Sequence, residues 1–273
     1  MTAEPAVAVA APQWRISTDR RAAARLALAA GADLLQLDFG GAHRGPLLSG
    51  RSELRSAEAI TKDIPIPVLA VNHVNDIGLA HPWGSANPAA LILLERALEC
   101  AQRLGAQVLH VPGFRRSLPT TQGLREGTVD ALRIVGEWVA AARLTLAYES
   151  PLGPRDSLAL ARAVDRPALR LVLDAGNLLD AGEDPLEFAG TVGAAGLLLP
   201  DLHVKDPTRA AGDDEDDGAA PCPFHDDLPD LLRCSGARSV LVENDYRHTI
   251  ARLRTDITLC RNAAELSHHE DER

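Results

Sequence analysis

Aromatic residues are scarce in this chain of 273 residues, which has four Phe, three Trp and two Tyr. A core must therefore be assembled mainly from Leu, Val, Ile and Ala, within a hydrophobic share of 46%. Barrel interiors are filled by branched aliphatic side chains, so this poverty in aromatics fits such a fold. Cysteine is rare too. Cys100, Cys222, Cys234 and Cys260 show no CxxC or other metal-ligand spacing, which predicts reduced thiols in an intracellular protein. Lysine occurs only at Lys62 and Lys205, so each draws attention. Basic residues form no stripe, and the formal net charge is −10. A protein that grips nucleic acid phosphates needs such a stripe, so no nucleic acid partner is expected. An acidic surface also gives no attraction to anionic lipid. No apolar run reaches the roughly 18 residues of a membrane span. The first twelve residues are rich in Ala and Val, but they lack a basic segment and carry Glu4, so they make a poor secretory signal. The expected compartment is the cytoplasm.

What is present is a rhythm. Short aliphatic runs alternate with longer Ala/Leu/Arg segments of helical period, the pattern of repeated βα units. The runs predict strands near 13–17, 34–39, 67–72, 107–111, 144–149, 169–174, 197–205 and 239–243. Helices are expected near 18–30, 52–61, 88–104, 124–143, 155–164, 185–192, 228–234 and 247–266, with Pro88 well suited to a first turn. Eight units without a linker-like break predict one α/β domain, a (β/α)8 barrel over 13–266. Residues 1–12 are expected to be a disordered N-terminal segment and 267–273 a frayed polar tail. An open doubly wound sheet would place GxGxxG after an early strand, and the chain has none. The run Gly-Asp-Asp-Glu-Asp-Asp-Gly at 212–218 is expected to be a solvated loop, because it lacks the alternating ligands and distal Glu of a calcium-binding loop.

Active sites in this fold gather at the C-terminal ends of the strands. Strand five ends at Glu149, strand six at Asp174 and strand eight at Glu243, while strand seven contains His203, Lys205 and Asp206. Singly, each has a structural explanation. Glu149 could start a turn, Asp174 could form one, His203 could be a satisfied core histidine, and Glu243 could cap the last helix with Asn244. Together, three carboxylates around one apolar-walled mouth would repel strongly, and a divalent cation would offset that. An oxygen-rich set with one imidazole favours Mn²⁺, Mg²⁺ or Co²⁺ over a thiolate-loving zinc. Lys205 shares the face of His203 by strand alternation. It can either stabilise a developing oxyanion or form a salt bridge beneath the cluster. Asp206 points the other way, towards a loop-capping role.

The segments LAYES, LVLDAGN, LHVKD and LVEND, in that order, resemble the xylose isomerase-like superfamily of sugar phosphate isomerases and epimerases. The likeness runs from about Ile16 to Ala264 and is strongest after Leu144. It implies that Glu149, Asp174, His203 and Glu243 bind one divalent metal, Mn²⁺ foremost, with Mg²⁺ or Co²⁺ as alternatives. It also implies that Glu149 and Glu243 are the catalytic acid and base. Arg209, six residues beyond His203, takes the place of an arginine that contacts substrate. The implied reaction is isomerisation or epimerisation of a sugar, sugar phosphate or polyol. A proton is removed beside a carbonyl held by the metal, through an enediolate.

Two departures bear on the substrate. Asn177 stands where many epimerases carry a histidine, and it can hydrogen-bond a hydroxyl but cannot carry a proton. The loop before strand eight brings His225, read as a surface residue or a second visitor to the site. His110, His73 and Asn72 lie at strand ends and are expected to line the pocket. Three other readings stay open. One is a lyase or dehydratase on the same metal site. Another is an endonuclease IV-like phosphodiester hydrolase, and the last is a barrel retained for binding. A homo-oligomer is compatible with all of them.

Overall fold

The computed structural model describes residues 7–205 and 227–271. Strands buried on both faces read as continuous apolar runs rather than as alternation. The Ala/Val-rich start of the chain is such a run, and Ala8–Pro12 forms the first strand, β1. The segment at 13–17, expected as that strand, is instead a short helix, Gln13–Ile16. Its polar residues have other uses: Gln13 Oε1 accepts from the Asp38 amide at 3.2 Å and Nε2 donates to the Ser17 carbonyl at 2.7 Å. The residues expected to precede the barrel in disorder therefore supply its first strand.

The remaining strands are β2 Leu34–Asp38, β3 Val68–Ala70, β4 Val108–Pro112, β5 Thr145–Glu149, β6 Leu169–Asp174, β7 Leu198–Val204 and β8 Ser239–Val242. All neighbours are parallel, and β8 pairs with β1 (Ala8 opposite Ser239), closing a (β/α)8 barrel in one domain. Helices between the strands carry their own punctuation. Arg20–Ala30 starts at Asp19, whose side chain accepts from two amides, and ends at left-handed Gly31. Pro88–Leu104 has Asn87 as its cap, Pro in its first turn and left-handed Gly105 at its end. The last helix, Ile250–Asp271, continues into the segment expected to fray. Buried Ser267 sits inside it, bonding back to the Ala264 carbonyl at 2.8 Å.

The two faces of the sheet differ. Leu35, Leu37, Leu109, Val111, Leu146, Leu171, Leu173 and Val240 point outward and pack with the helices in one continuous core. Each such side chain contributes about 1.5–3 kcal/mol on burial. The lumen mixes alanines with larger groups, Ala10 and Ala70 with Leu241 and Trp14, and Ala147 with Val172 and Leu199. Branched aliphatics do lie in the interior, with Leu241, Val172 and Leu199 joined by Leu34 and Val108, but they share it with alanines. Alanines in the lumen leave volume for buried polar side chains, among them Gln36, Asp38, His110 and Asp201. The register of β6 against β7 shifts between Leu171 and Leu173, which brings Asp174 opposite His203. That irregularity aligns two site residues at the C-terminal end of the barrel.

Candidate metal centre

Glu149, Asp174, His203 and Glu243 come together at the ends of β5 to β8. One ligand atom from each lies within 4.8 Å of all the others. Asp174 is also the N-cap of the short helix Ala175–Asp180, accepting the Asn177 amide at 2.7 Å. That cap fixes the carboxylate's direction. His203 Nδ1 is buried without a hydrogen-bond partner among the described residues. It faces Glu149 Oε2 at 3.6 Å and Glu243 Oε2 at 3.9 Å. Its other nitrogen, Nε2, is 3.5 Å from Asp201 Oδ2. Asp201 is itself held by Gln36 Nε2 at 2.8 Å and Ser239 Oγ at 2.6 Å. Carboxylate support of one imidazole nitrogen, with the other left bare and pointing at carboxylates, is the arrangement a metal-binding histidine needs. The residues fit a single divalent cation.

The electrostatics agree. Burial and the charges of Glu149 and Glu243 push the Asp174 carboxyl up to about 7, against the opposing pull of Lys205. A bound cation would hold that group ionised. Burial alone would raise Glu149, but its approaches to His110 and His203 outweigh this and hold it well below the carboxylate range. Burial would likewise lower His203, yet Asp201 and Glu149 raise it well above the usual imidazole value.

A cavity of about 350 Å³ opens above the cluster, and Glu149, Glu243, Asn177 and Lys205 reach it. Asp174 and His203 lie beneath and are not among its lining residues. Asn177 donates to Glu149 Oε1 at 2.6 Å and to Asp174 Oδ2 at 2.9 Å, and its carbonyl oxygen accepts from Lys205. Lys205 Nζ is also 3.4 Å from Asp174 Oδ2. Lys205 therefore makes the salt bridge and faces the cavity, joining the two readings that its position allowed. His110 stands behind Glu149, with Nε2 2.8 Å from Glu149 Oε2 and its ring edge-to-face with His203. Its contact is with a ligand rather than with the cavity. Asn72 lines the cavity. His73 does not; its Nδ1 pairs with Asp76 Oδ2 at 2.9 Å. Gly41, at φ +129, lies so close that a Cβ there would stand 2.8 Å from the His73 ring. Arg209, Asp206, His225 and the 212–218 run lie outside the described residues.

Several cavity residues were not foreseen. Arg15, on the short helix after β1, and Arg44, in the loop after β2, both line it, as do Arg115 and Arg247. Arg15 was concealed by the misplaced first strand. Asp38 ends β2 fully buried, as Asp174 ends β6; burial raises its pKa, while the Gly40 amide, Arg44 and Asn72 oppose the rise. Asp38 stands at the end of β2, a position to which the rule about strand ends also points.

Known proteins match this architecture. The family model described as xylose isomerase-like TIM barrel covers residues 24–250. Over 257 residues the chain is 36% identical to a 2-epi-5-epi-valiolone 7-phosphate 2-epimerase of Actinoplanes sp., spanning 92% of this chain and 93% of that enzyme. Among solved structures, a D-allulose 3-epimerase from Methylomonas sp. in complex with D-allulose superposes with a TM-score of 0.69 at 15% identity, over 93% of this chain and 96% of the other. A xylose isomerase-like TIM barrel protein from Mycobacterium smegmatis in complex with magnesium gives a TM-score of 0.68 at 15% identity, over 96% and 97%. At these identities the two structures speak for the fold.

Proposed function

The chain belongs to the xylose isomerase-like TIM barrel family, and on that premise we propose a divalent-metal-dependent epimerase of a sugar or polyol ketone. It is an enzyme of the isomerase/epimerase kind, related across nearly its whole length to an epimerase. One observation carries the finer reading. Of the four clustered side chains, only the two glutamates reach the cavity, while Asp174 and His203 remain below it. Two carboxylates with access to one bound molecule suit removal of a proton by one and return of a proton by the other.

Glu149, Asp174, His203 and Glu243 would hold the cation, with Mn²⁺ the best match to the donor set and Mg²⁺ or Co²⁺ next. A cation there would polarise the substrate carbonyl and acidify the neighbouring C–H bond. Glu149 is kept ionised by His110 and His203 and oriented by Asn177, so it is ready to accept a proton. Glu243, on the adjacent strand end, serves as its counterpart. Lys205 presents a donor at the floor, suited to a hydroxyl or a developing oxyanion.

The experiment is incubation of Mn²⁺-loaded protein in D₂O with ketoses, ketose phosphates and cyclic polyhydroxy ketones, followed by NMR. One solvent deuterium should appear beside the carbonyl, in an epimer and in recovered substrate. Deuterium in none of them would sink the epimerase reading. Loss of water in place of an epimer would transfer the same site to the lyase class.

A further inference from the structure

Among the described residues, four other than glycine stand on left-handed backbone: His43 at φ 63°, Arg115 at 49°, Arg143 at 60° and Asp165 at 49°. A Cβ is crowded by the backbone there, so each needs a reason. Arg143 and Asp165 follow the ends of the helices Gln122–Ala141 and Pro154–Val164, where a left-handed residue is a common terminator. The other two, His43 and Arg115, both line the cavity. Arg115 is braced by Asp76, whose Oδ1 accepts its hydrogen bond at 2.7 Å. His43 is exposed and makes no side-chain hydrogen bond among the described residues.

His43 is at the tip of a loop fixed from several sides. Gly40, Gly41 and Gly45 also have positive φ. A Cβ at Gly40 would stand 2.2 Å from the Pro46 carbonyl oxygen, and one at Gly45 would stand 2.6 Å from that of Thr18. The Gly41 amide donates to the Gly45 carbonyl at 2.9 Å, closing the turn. Buried Arg20 donates to the carbonyls of Asp38 at 3.1 Å and Pro46 at 2.7 Å, and Gln13 Nε2 donates to that of Arg44 at 3.3 Å. Three of the loop's four left-handed positions are glycine. At the fourth, where glycine would also relieve the backbone, the chain places an imidazole at the cavity. Strain retained in a braced loop beside a cavity indicates that the side chain itself is used.

We propose that His43 is a specificity-determining residue that hydrogen-bonds a hydroxyl at the end of the substrate away from its ketone. This rests on the reading of the cavity as the substrate site. In a closed barrel of eight strands β2 lies opposite β6, so the loop after β2 faces the wall that carries Asp174. A molecule that meets Glu149 and Glu243 at one end extends across the mouth towards His43. The four arginines of the lining can only donate. Asn72 and Asn75 are engaged, Asn72 Nδ2 with Asp38 and Asn75 Oδ1 with the Phe114 amide. An imidazole in its neutral form offers one donor and one acceptor, which matches a hydroxyl group.

His43→Gly tests this directly, because it relieves the backbone and removes the imidazole. Its melting temperature should equal or exceed that of the wild type. In the D₂O assay with D-fructose and scyllo-inosose it should raise KM by about three- to tenfold, as for one lost hydrogen bond, while kcat moves little. KM for dihydroxyacetone, too short to carry a distal hydroxyl, should rise less. His43→Asn tolerates left-handed backbone and keeps a donor and an acceptor, so it should recover part of the loss. A lower melting temperature for His43→Gly, or an equal rise in KM for all three ketones, would overturn the proposal. Imidazole proton NMR of Mg²⁺-loaded protein separates it from the epimerase reading, with the His43 signal identified by its absence from His43→Asn. A saturable shift of that signal with scyllo-inosose, without deuterium exchange in any ketone, supports the contact and removes the epimerase. Exchange with neither a His43 shift nor a change of KM in His43→Gly overturns the contact and leaves the epimerase intact. Absence of both exchange and shift overturns both.

Discussion

Strands β5 to β8 and strands β1 to β4 bring different chemistry to one cavity. The second half of the barrel places Glu149, Asp174, His203 and Glu243 on strand ends, where backbone pairing fixes them within 4.8 Å of one another. The first half supplies Arg15, Arg44 and Arg115 from short helices and loops beyond its strands. A proton-transfer site demands placement within a fraction of an ångström, and strand ends provide it. Holding the rest of a bound molecule tolerates more movement, and loops suffice. On the proposed reading, proton transfer rests with the second half and much of the binding with the first, and that division can be tested.

The largest effect is expected at the acids. Glu149→Gln or Glu243→Gln should lower turnover by about 10²–10⁴-fold and abolish solvent exchange, since each removes a proton carrier. If Arg15→Met cost as much in turnover, the division between halves would fail. Next comes Asp201→Asn, which leaves the cavity untouched but loosens the support of His203 Nε2. It should weaken metal binding by about 10–100-fold, measured by competition with a chromophoric chelator. Unchanged metal affinity would show that Asp201 has no part in orienting the imidazole.

Arg15→Met should come third, raising KM by about tenfold while kcat moves little. The smallest effect concerns Asp76, which braces Arg44 and Arg115 from below. Burial is the largest single influence and opposes its ionisation, but His73, Arg44 and Arg115 together outweigh it and lower its pKa. Because the folded value is depressed, its stabilisation is present above the ordinary carboxylate pKa and lost as pH falls through the folded value. Asp76→Asn should therefore cost about 0.5–1 kcal/mol near neutral pH, a figure already reduced for solvent screening. Melts of the two proteins should converge on acidification. A gap that persists in acid would mean that the side chain acts through packing and not through charge.

Legibility followed the same division. Each acid of the second half closes an aliphatic run, so strand periodicity and the rule for barrel mouths sufficed to name it. Lys205 was also visible, because it is two residues from His203 on one face. Arg15 could not be read this way, since its helix follows a strand whose Ala/Val run was expected to be a disordered N-terminal segment. Arg44 sits in a Gly-rich loop, where no period constrains side-chain direction. His73 and His110 had the right residue type at strand ends, but type alone does not say which way a ring turns. His73 turned to Asp76, and His110 went behind Glu149.

By itself, the sequence determined the eight-fold alternation, the helix caps such as Asn87 with Pro88, and the acids that end β5, β6 and β8. These depend on neighbours within a few residues, through backbone conformation and side-chain period. Only the tertiary structure decided which polar groups meet. Asp201 is held by Gln36, 165 residues away in the chain. Arg15 reaches Glu243 because β1 closes on β8. Closure of the barrel sets those meetings, and contact across a closed sheet leaves no periodic trace in the order of residues.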